Sequence, residues 1–551
     1  MKIDGCMLNA YPDSIGQSLQ DCVNLLKNPL LKDAIHSFYI LPSIFNSDLD
    51  RGFSIISYDL NEAFANTDDL ASLKEMGIAL KLDFVLNHAS VLSKQFQDIL
   101  ENGEASKYKD FFVDWNQFWT GYGTMTDKGY IKPDPKYLKG MYIRKPGLPL
   151  LMVPMPDGTE KPYWNTFYQE TQYPDFDAQD FTYATDIQYT VAERLAGLVN
   201  NALNEGKSPE EIDFGSYERH RDECMKVIKS RRRFLGQMDL NVQSPLVWEF
   251  YEDTLKKLAQ FGAETVRLDA FAYASKEPGA RNFLNDSGTW DILEKIRFMA
   301  DKLNITLLPE IHAEYREKVH ERLAEEGYMT YDFFLPGLLI HAIENHTCKY
   351  LLHWISDIQS KNLLTVNMLG CHDGIPLLDL RGLLPDEEIE KTIEVIVQRG
   401  GYVKDVQGDK KTYYQVNTTY FSALGEQNDK MLLARALQLF MPGKPQIWYL
   451  DLFGGKNDHE AIKRAGVGGH KEINRTNLTV PDVESALNEE LTAKQLELLR
   501  FRNTNPAFGT GAKLSVEGEG HRICLTWENN GYTARLDADF KTYEYNITIN
   551  E

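Results

Sequence analysis

At 551 residues, 43% of them hydrophobic, the chain can bury a large core and exceeds one ordinary domain. A net charge of −22 weighs against nucleic acid and anionic membrane as partners. No run of about 18 apolar residues occurs and the first residues form no long apolar segment, so the expectation is a soluble, cytoplasmic protein.

Taken in order, residues 3–8 predict a first strand, and Leu19, Val23 and Leu26 a helix. Residues 34–41 predict a second strand, 70–76 a helix and 79–87 a third strand. Strand and helix alternating at this spacing predict right-handed parallel β/α units. From 89 to about 236 the rhythm breaks, and aromatic residues such as Trp119, Tyr130 and Trp164 dominate. Such excursions usually carry function. Inside this one, Val191, Leu195, Leu198 and Ala202 have helical spacing. Residues 219–233 predict a second, basic helix ending in Arg231, Arg232 and Arg233, a run that reads as a solvated face.

Ser244 and Pro245 predict a helix start with a capping side chain, leading through Tyr251, Leu255 and Leu258 to a fourth strand. Ile292, Ile296, Met299 and Leu303 mark the next helix. Residues 305–312 predict a fifth strand, 328–335 a sixth, and a seventh starts at Leu364. A second excursion spans 374–427, followed by a helix at 431–440 and an eighth strand at 444–450. From about Phe508, four short alternating segments predict a small antiparallel sheet. The expected division is a barrel over 1–88 and 237–504, an insertion over 89–236 with a helical insert at about 169–235, and a C-terminal sheet domain over 505–551.

Residues 264–273 carry the first chemical signal. Thr265, Val266 and Leu268 predict a short buried strand, yet Arg267 and Asp269 stand inside it, on one face by alternation. Buried charges are costly unless paired. A structural ion pair is one reading of this stretch. Two later strands shift the balance: one ends in Glu310 and His312, the other in His372 and Asp373. In a barrel of parallel strands those ends converge on the active site. The six cysteines (Cys6, Cys22, Cys224, Cys348, Cys371 and Cys524) lack metal-ligand spacing and read as buried free thiols.

The motif Asp83-Phe-Val-Leu-Asn-His88, then Arg267-Leu-Asp-Ala270, Glu310 and His372-Asp373, in that order, resembles the four signature regions of the α-amylase superfamily, glycoside hydrolase family 13. Within it, Phe96-Gln-Asp98, Gly147-Leu-Pro149, Tyr414 to Ala423 and Ile473-Asn-Arg475 resemble the sucrose phosphorylase and sucrose 6-phosphate phosphorylase subgroup. The resemblance implies an α/β fold: a (β/α)8 TIM barrel with a large insertion after strand three, a smaller one after strand seven and a C-terminal antiparallel β domain. It implies a retaining glucosyl transfer, which needs two carboxyls about 5 Å apart. Asp269 would be the nucleophile, Glu310 the acid/base and Asp373 the stabiliser of the transition state. Arg267, His88, His312 and His372 would support them. Asp50 and Arg475 would grip the far hydroxyl of the glucosyl unit, and Phe53, Phe167, Gln237 and Tyr273 would line it.

On the acceptor side the sequence departs from the sucrose enzymes. A proline of the first acceptor loop is Arg144 and the following arginine is Lys145; in the second loop an acidic residue is Thr412, preceded by Lys410 and Lys411. The added positive charge favours an anionic acceptor such as fructose 6-phosphate, whereas Tyr414 matches the enzymes that act on sucrose. Tyr273, Lys145 and Gln415 are the expected surroundings of the attacking phosphate. An α-glucosidase and a non-enzymatic barrel subunit remain as other readings. The expected partners are a small sugar and inorganic phosphate, with no metal, no cofactor and a possible homodimer.

Overall fold

Eight apolar runs become eight parallel strands in the computed structural model, which describes residues 5–144, 147–167, 169–286, 288–403, 415–465 and 469–550. They are β1 (Met7–Ala10), β2 (Ser37–Ile40), β3 (Ala79–Val85), β4 (Ala263–Asp269), β5 (Thr306–Pro309), β6 (Thr330–Asp332), β7 (Thr365–Met368) and β8 (Lys444–Trp448). Parallel ladders join them in the order β5-β4-β3-β2-β1-β8-β7-β6. The two ends of that order, β5 and β6, adjoin, so the sheet wraps into a nearly closed barrel.

Alternation along each strand sorts its side chains between two environments. Val266 and Leu268 of β4 join the large core shared with the surrounding helices. Leu308, Tyr331, Val366 and Met368 form a separate apolar cluster, where facing strands fill the barrel. Next to it lies a buried polar layer. The Lys81 ammonium donates to the Tyr331 hydroxyl at 2.5 Å and to Gln446 Oε1 at 2.7 Å, and lies 3.8 Å from the centre of the Tyr39 ring.

Most observed strands are shorter than the apolar runs that announced them, because ladder pairing stops where the chain must turn toward a helix; the first is shifted, Met7–Ala10 against an expected 3–8, of which residues 3 and 4 lie outside the described residues. Helix ends moved for local reasons. The helix predicted from Leu70 starts at Thr67, because Asn66 accepts hydrogen bonds from the backbone of Asp68 and Asp69, and Asp69 reciprocates. Ser244 does precede the helix Pro245–Gln260, but its side chain makes no capping bond. The basic helix is only Arg221–Ser230; Arg233 already belongs to a strand, Arg233–Asp239. Arg231 and Arg232 lie between the two, paired with Asp180 and Glu160 at the surface.

The excursion after β3 begins with the strand His88–Ser90, which pairs with Arg233–Asp239; that strand pairs in turn with Gln169–Gln172. The segment between residues 172 and 233 thus leaves and returns on one antiparallel ribbon. It closes over its own apolar cluster, with Phe181, Leu195, Val199, Phe214 and Ile228 buried. Phe167 and Gln237, predicted to flank this insert, stand at the ribbon's root. The second excursion contains the helix Asp386–Gln398 and a short ribbon of Tyr402–Val403 against Val416–Asn417.

At the C-terminus, β9 (Lys513–Glu519), β10 (Arg522–Asn529), β11 (Tyr532–Asp539) and β12 (Tyr545–Asn550) form an antiparallel meander. Trp527 docks it on the barrel by donating its indole N–H to the Phe440 carbonyl at 2.8 Å. All six cysteines are free and buried, and among the described residues no helix is long and apolar enough to cross a membrane.

Candidate active site

Arg267 is the hub. Parallel register sets it directly beside Asp83 of β3. Its Nη1 donates to Asp83 Oδ1 at 2.6 Å and to Asp269 Oδ1 at 2.7 Å, while Nη2 lies 3.3 Å from Glu310 Oε1. One guanidinium therefore gathers three carboxyls from β3, β4 and the end of β5. Tyr39 on β2 extends the chain by donating its hydroxyl to Asp83 Oδ2 at 2.8 Å. Immediately after Asp269 the backbone takes a left-handed turn at Ala270, with φ 52°. That turn lets the Ala270 N–H approach Glu310 Oε2 at 3.3 Å, so Asp269 and Glu310 are neighbours through both a side chain and the main chain.

The charges are strongly coupled. Burial lifts the Asp269 carboxyl to about 8 against the pull of Arg267, with the charge of Glu310 pushing the same way. Burial also opposes ionisation of Glu310, but Arg267 and His312 overcome it and hold Glu310 down at about 2. Two adjacent buried carboxyls beside one guanidinium thus titrate as a pair, each one's charge opposing ionisation of the other. His312 is fixed from three sides. Its Nδ1 lies 2.9 Å from Asp379, its Nε2 lies 3.3 Å from Glu310, and its ring stacks on Phe333 at 3.9 Å. Burial alone would neutralise the imidazole; Asp379 and Glu310 raise it to about 9.

A second cluster lies beside the first. Asp373 stands in the loop beyond β7, five residues past Met368, rather than on the strand. His372 Nε2 lies 3.3 Å from its Oδ2, and Lys471 and Arg475 reach its Oδ1 at 2.7 and 3.5 Å. Burial raises the Asp373 carboxyl, but His372, Lys471 and Arg475 together hold it well below the usual carboxylate range. Arg475 also lies 3.6 Å from Asp50. Asp50 and Arg51 both adopt positive φ, and Gly52 follows at 114°. A Cβ on Gly52 would meet the Ser43 nitrogen at 2.2 Å, so only glycine fits this turn. The turn presents Phe53, whose ring stacks on His372 at 5.1 Å and lies 5.5 Å from the Arg267 guanidinium. His88 Nε2 donates to the Phe53 carbonyl at 3.1 Å, and burial lowers its pKa to about 4, so it is neutral.

The third group is aromatic. Phe167 sits 4.9 Å from His88 and 5.2 Å from Tyr273, ring centre to ring centre. Arg144 lies over Phe167 at 4.9 Å and donates to the Tyr273 hydroxyl at 3.1 Å. Beneath them the buried Lys276 ammonium touches Asp239 at 2.8 Å, Asn87 Oδ1 at 3.0 Å and the Tyr273 carbonyl at 2.7 Å. This tie joins the end of β3, the insertion and the loop after β4. Gln237 is buried, and its carbonyl accepts from Asn165 at 2.8 Å. Gln415 is half-buried beside the short ribbon of the second excursion. Lys145, Lys410, Lys411, Thr412 and Tyr414 lie outside the described residues. Sequence reasoning missed Tyr39, Asp379, Lys471 and Lys276 as members of these clusters, and named Asp83 only within a motif.

No family model matches the chain. The "Sucrose 6(F)-phosphate phosphorylase" of Ilumatobacter coccineus is 48% identical, over 98% of this chain and 95% of its own length. The chain belongs to the sucrose and sucrose 6-phosphate phosphorylase family of the α-amylase superfamily. The "Sucrose phosphorylase" of Streptococcus mutans is 28% identical over 100% of this chain and 98% of its own. The crystal structure of sucrose 6F-phosphate phosphorylase from Thermoanaerobacter thermosaccharolyticum superposes with a TM-score of 0.81 at 29% identity, over 100% of this chain and 96% of that one. Membership of this phosphorylase family accounts for the barrel and for the C-terminal sheet.

Proposed function

We propose that the chain is a retaining phosphorylase that converts sucrose 6-phosphate and phosphate to α-glucose 1-phosphate and fructose 6-phosphate, with sucrose as the poorer substrate. The observation that carries the chemistry is the sharing of one guanidinium by Asp269 and Glu310 at the ends of adjacent strands. That arrangement fits the short separation of roughly 5 Å used by retaining pairs.

Asp269 attacks the anomeric carbon while the bond to the fructosyl oxygen breaks, and Glu310 gives that oxygen its proton. Phosphate then attacks the same carbon, Glu310 takes the phosphate proton, and the ester to Asp269 breaks. Two inversions give retention. The cycle needs one proton on the pair, carried by Glu310, with Asp269 ionised against Arg267. Asp373, held ionised by its cations, faces the sugar hydroxyls and stabilises positive charge developing on the ring. Asp50 and Arg475 hold the far hydroxyl, and Phe53, Phe167 and Gln237 wall the glucosyl unit.

Acceptor choice rests on Arg144, a fixed planar donor set above Tyr273, and on the 48% identical relative that bears the sucrose 6(F)-phosphate phosphorylase name. The test is release of glucose 1-phosphate from sucrose and from sucrose 6-phosphate side by side, with and without phosphate. Preference for sucrose 6-phosphate and dependence on phosphate are expected. Preference for sucrose would reassign the acceptor, and glucose released at the same rate without phosphate would make the enzyme a hydrolase.

A further inference from the structure

Lys471 answers to no expectation from the sequence, yet its ammonium lies within the cluster that the proposed glucosyl subsite is built from. It sits 2.7 Å from Asp373 Oδ1 and 3.8 Å from Asp50 Oδ2. Arg475 spans the same two carboxylates, at 3.5 and 3.6 Å. The two cations differ in depth. The Arg475 side chain is 1% exposed and Lys471 20%, with Asp50 and Asp373 between them at 13% and 15%. Arg475 is thus the buried cation of the carboxylate pair and Lys471 the one nearer solvent.

From this placement, and resting on the reading of Asp50 and Asp373 as ligands of sugar hydroxyls, we infer that Lys471 is an internal stand-in for the glucosyl unit. Its ammonium occupies the carboxylate pair in the empty enzyme and yields it to hydroxyl groups on binding. An ammonium suits the part. It donates three hydrogen bonds, as a set of sugar hydroxyls does, and its flexible four-carbon stem can withdraw without moving the backbone. Arg475 cannot exchange in this way, because its Nε is tied to the His372 carbonyl at 2.8 Å. The Lys471 side chain is 20% exposed, so its ammonium has solvent to move into. It also neutralises two carboxylates that would otherwise attract any cation into the open site.

The test compares glucose with 3-amino-3-deoxyglucose, protonated below neutral pH, as competitive inhibitors. In the wild type Lys471 competes with both ligands and its charge opposes the amino sugar. Lys471→Met removes the competitor and the opposing charge. The amino sugar should gain about ten- to a hundredfold in affinity relative to glucose, the size of one charge-assisted hydrogen bond. Lys471→Arg should keep the wild-type ratio, which separates the effect from misfolding of the Met variant. Equal weakening of both ligands would mean that Lys471 stays and binds sugar, and an unchanged ratio would mean that it does not compete; either overturns the inference. Asp50→Asn and Asp373→Asn serve as controls. If glucose binding is indifferent to both, the subsite reading itself falls; if it depends on them while the ratio stays fixed, only the displacement falls.

Discussion

The glucosyl side and the acceptor side of this site are built on different principles. On the glucosyl side Asp83, Asp269, Glu310, Arg267 and His312 hold each other through charge-assisted contacts, with their backbones fixed by barrel strands or the turns that end them, and Asp373 is held beside them by His372, Lys471 and Arg475. On the acceptor side Arg144 lies against the rings of Phe167 and Tyr273 and donates to the Tyr273 hydroxyl, on a loop of the insertion. The first arrangement makes every member depend on the others and suits a step that every substrate shares. The second leaves room for variation, and it is where the sequence departs from the sucrose enzymes.

The comparison predicts a hierarchy of effects. Asp269→Ala removes the nucleophile and should lower turnover by about 10⁴ or more in a folded protein. Normal turnover would dissolve the distinction between the two sides. Glu310→Gln should lower turnover on sucrose 6-phosphate by about 10² to 10⁴. With α-glucosyl fluoride and phosphate much of that loss should vanish, since fluoride leaves without a proton. A loss equal for both donors would argue that Glu310 is structural.

Arg144→Ala should act on one substrate. A phosphate contact of this kind is worth about 1–3 kcal/mol, or ten- to a hundredfold in binding. The loss should fall on sucrose 6-phosphate rather than sucrose, appear mainly in KM, and shrink at high salt. Equal losses on both substrates would erase the acceptor side as a specificity element.

A smaller effect concerns stability. His312 binds its proton more tightly folded than unfolded, at about 9 against an ordinary value of 6.5. It therefore adds stability that is full below its unfolded pKa and is lost as pH rises through the folded one. The melting temperature of the ligand-free protein should fall between about pH 6.5 and 9, and His312→Gln should flatten that slope. A melting temperature that rises over this range would contradict the charge assignments. The smallest expected effect is none at all: chelators should leave activity and melting temperature unchanged. Lys276 already supplies a cation to Asp239, Asn87 and the Tyr273 carbonyl, oxygens that a hard metal would otherwise favour. A melting temperature lowered by chelation would refute this.

Legibility followed the same divide. Barrel strands were readable because their apolar runs are short, periodic and punctuated, and Arg267 and Asp269 stood out as charges in such a run. The partners of Arg267 were less visible. Asp83 meets it through the register of two strands separated by 178 positions of chain, from Val85 to Ala263. Lys471 and Asp379 come from short 3-10 turns, Gly469–Asn474 and Leu378–Leu380, where no periodicity marks a side chain that turns inward. The shortened basic helix has a similar cause. Arg231 to Arg233 carry charge that suits either a helix end or a strand start, and pairing of Arg233 with Gln172 decided it.

The central claim is a glucosyl-enzyme on Asp269 that phosphate discharges, and trapping it tests the claim most directly. The Glu310→Gln enzyme is mixed with α-glucosyl fluoride without phosphate, digested, and its peptides are weighed. The account predicts one hexosyl unit on the peptide that contains Asp269, removed by phosphate with release of α-glucose 1-phosphate. A hexosyl unit on another residue, or β-glucose 1-phosphate as the product, would contradict it.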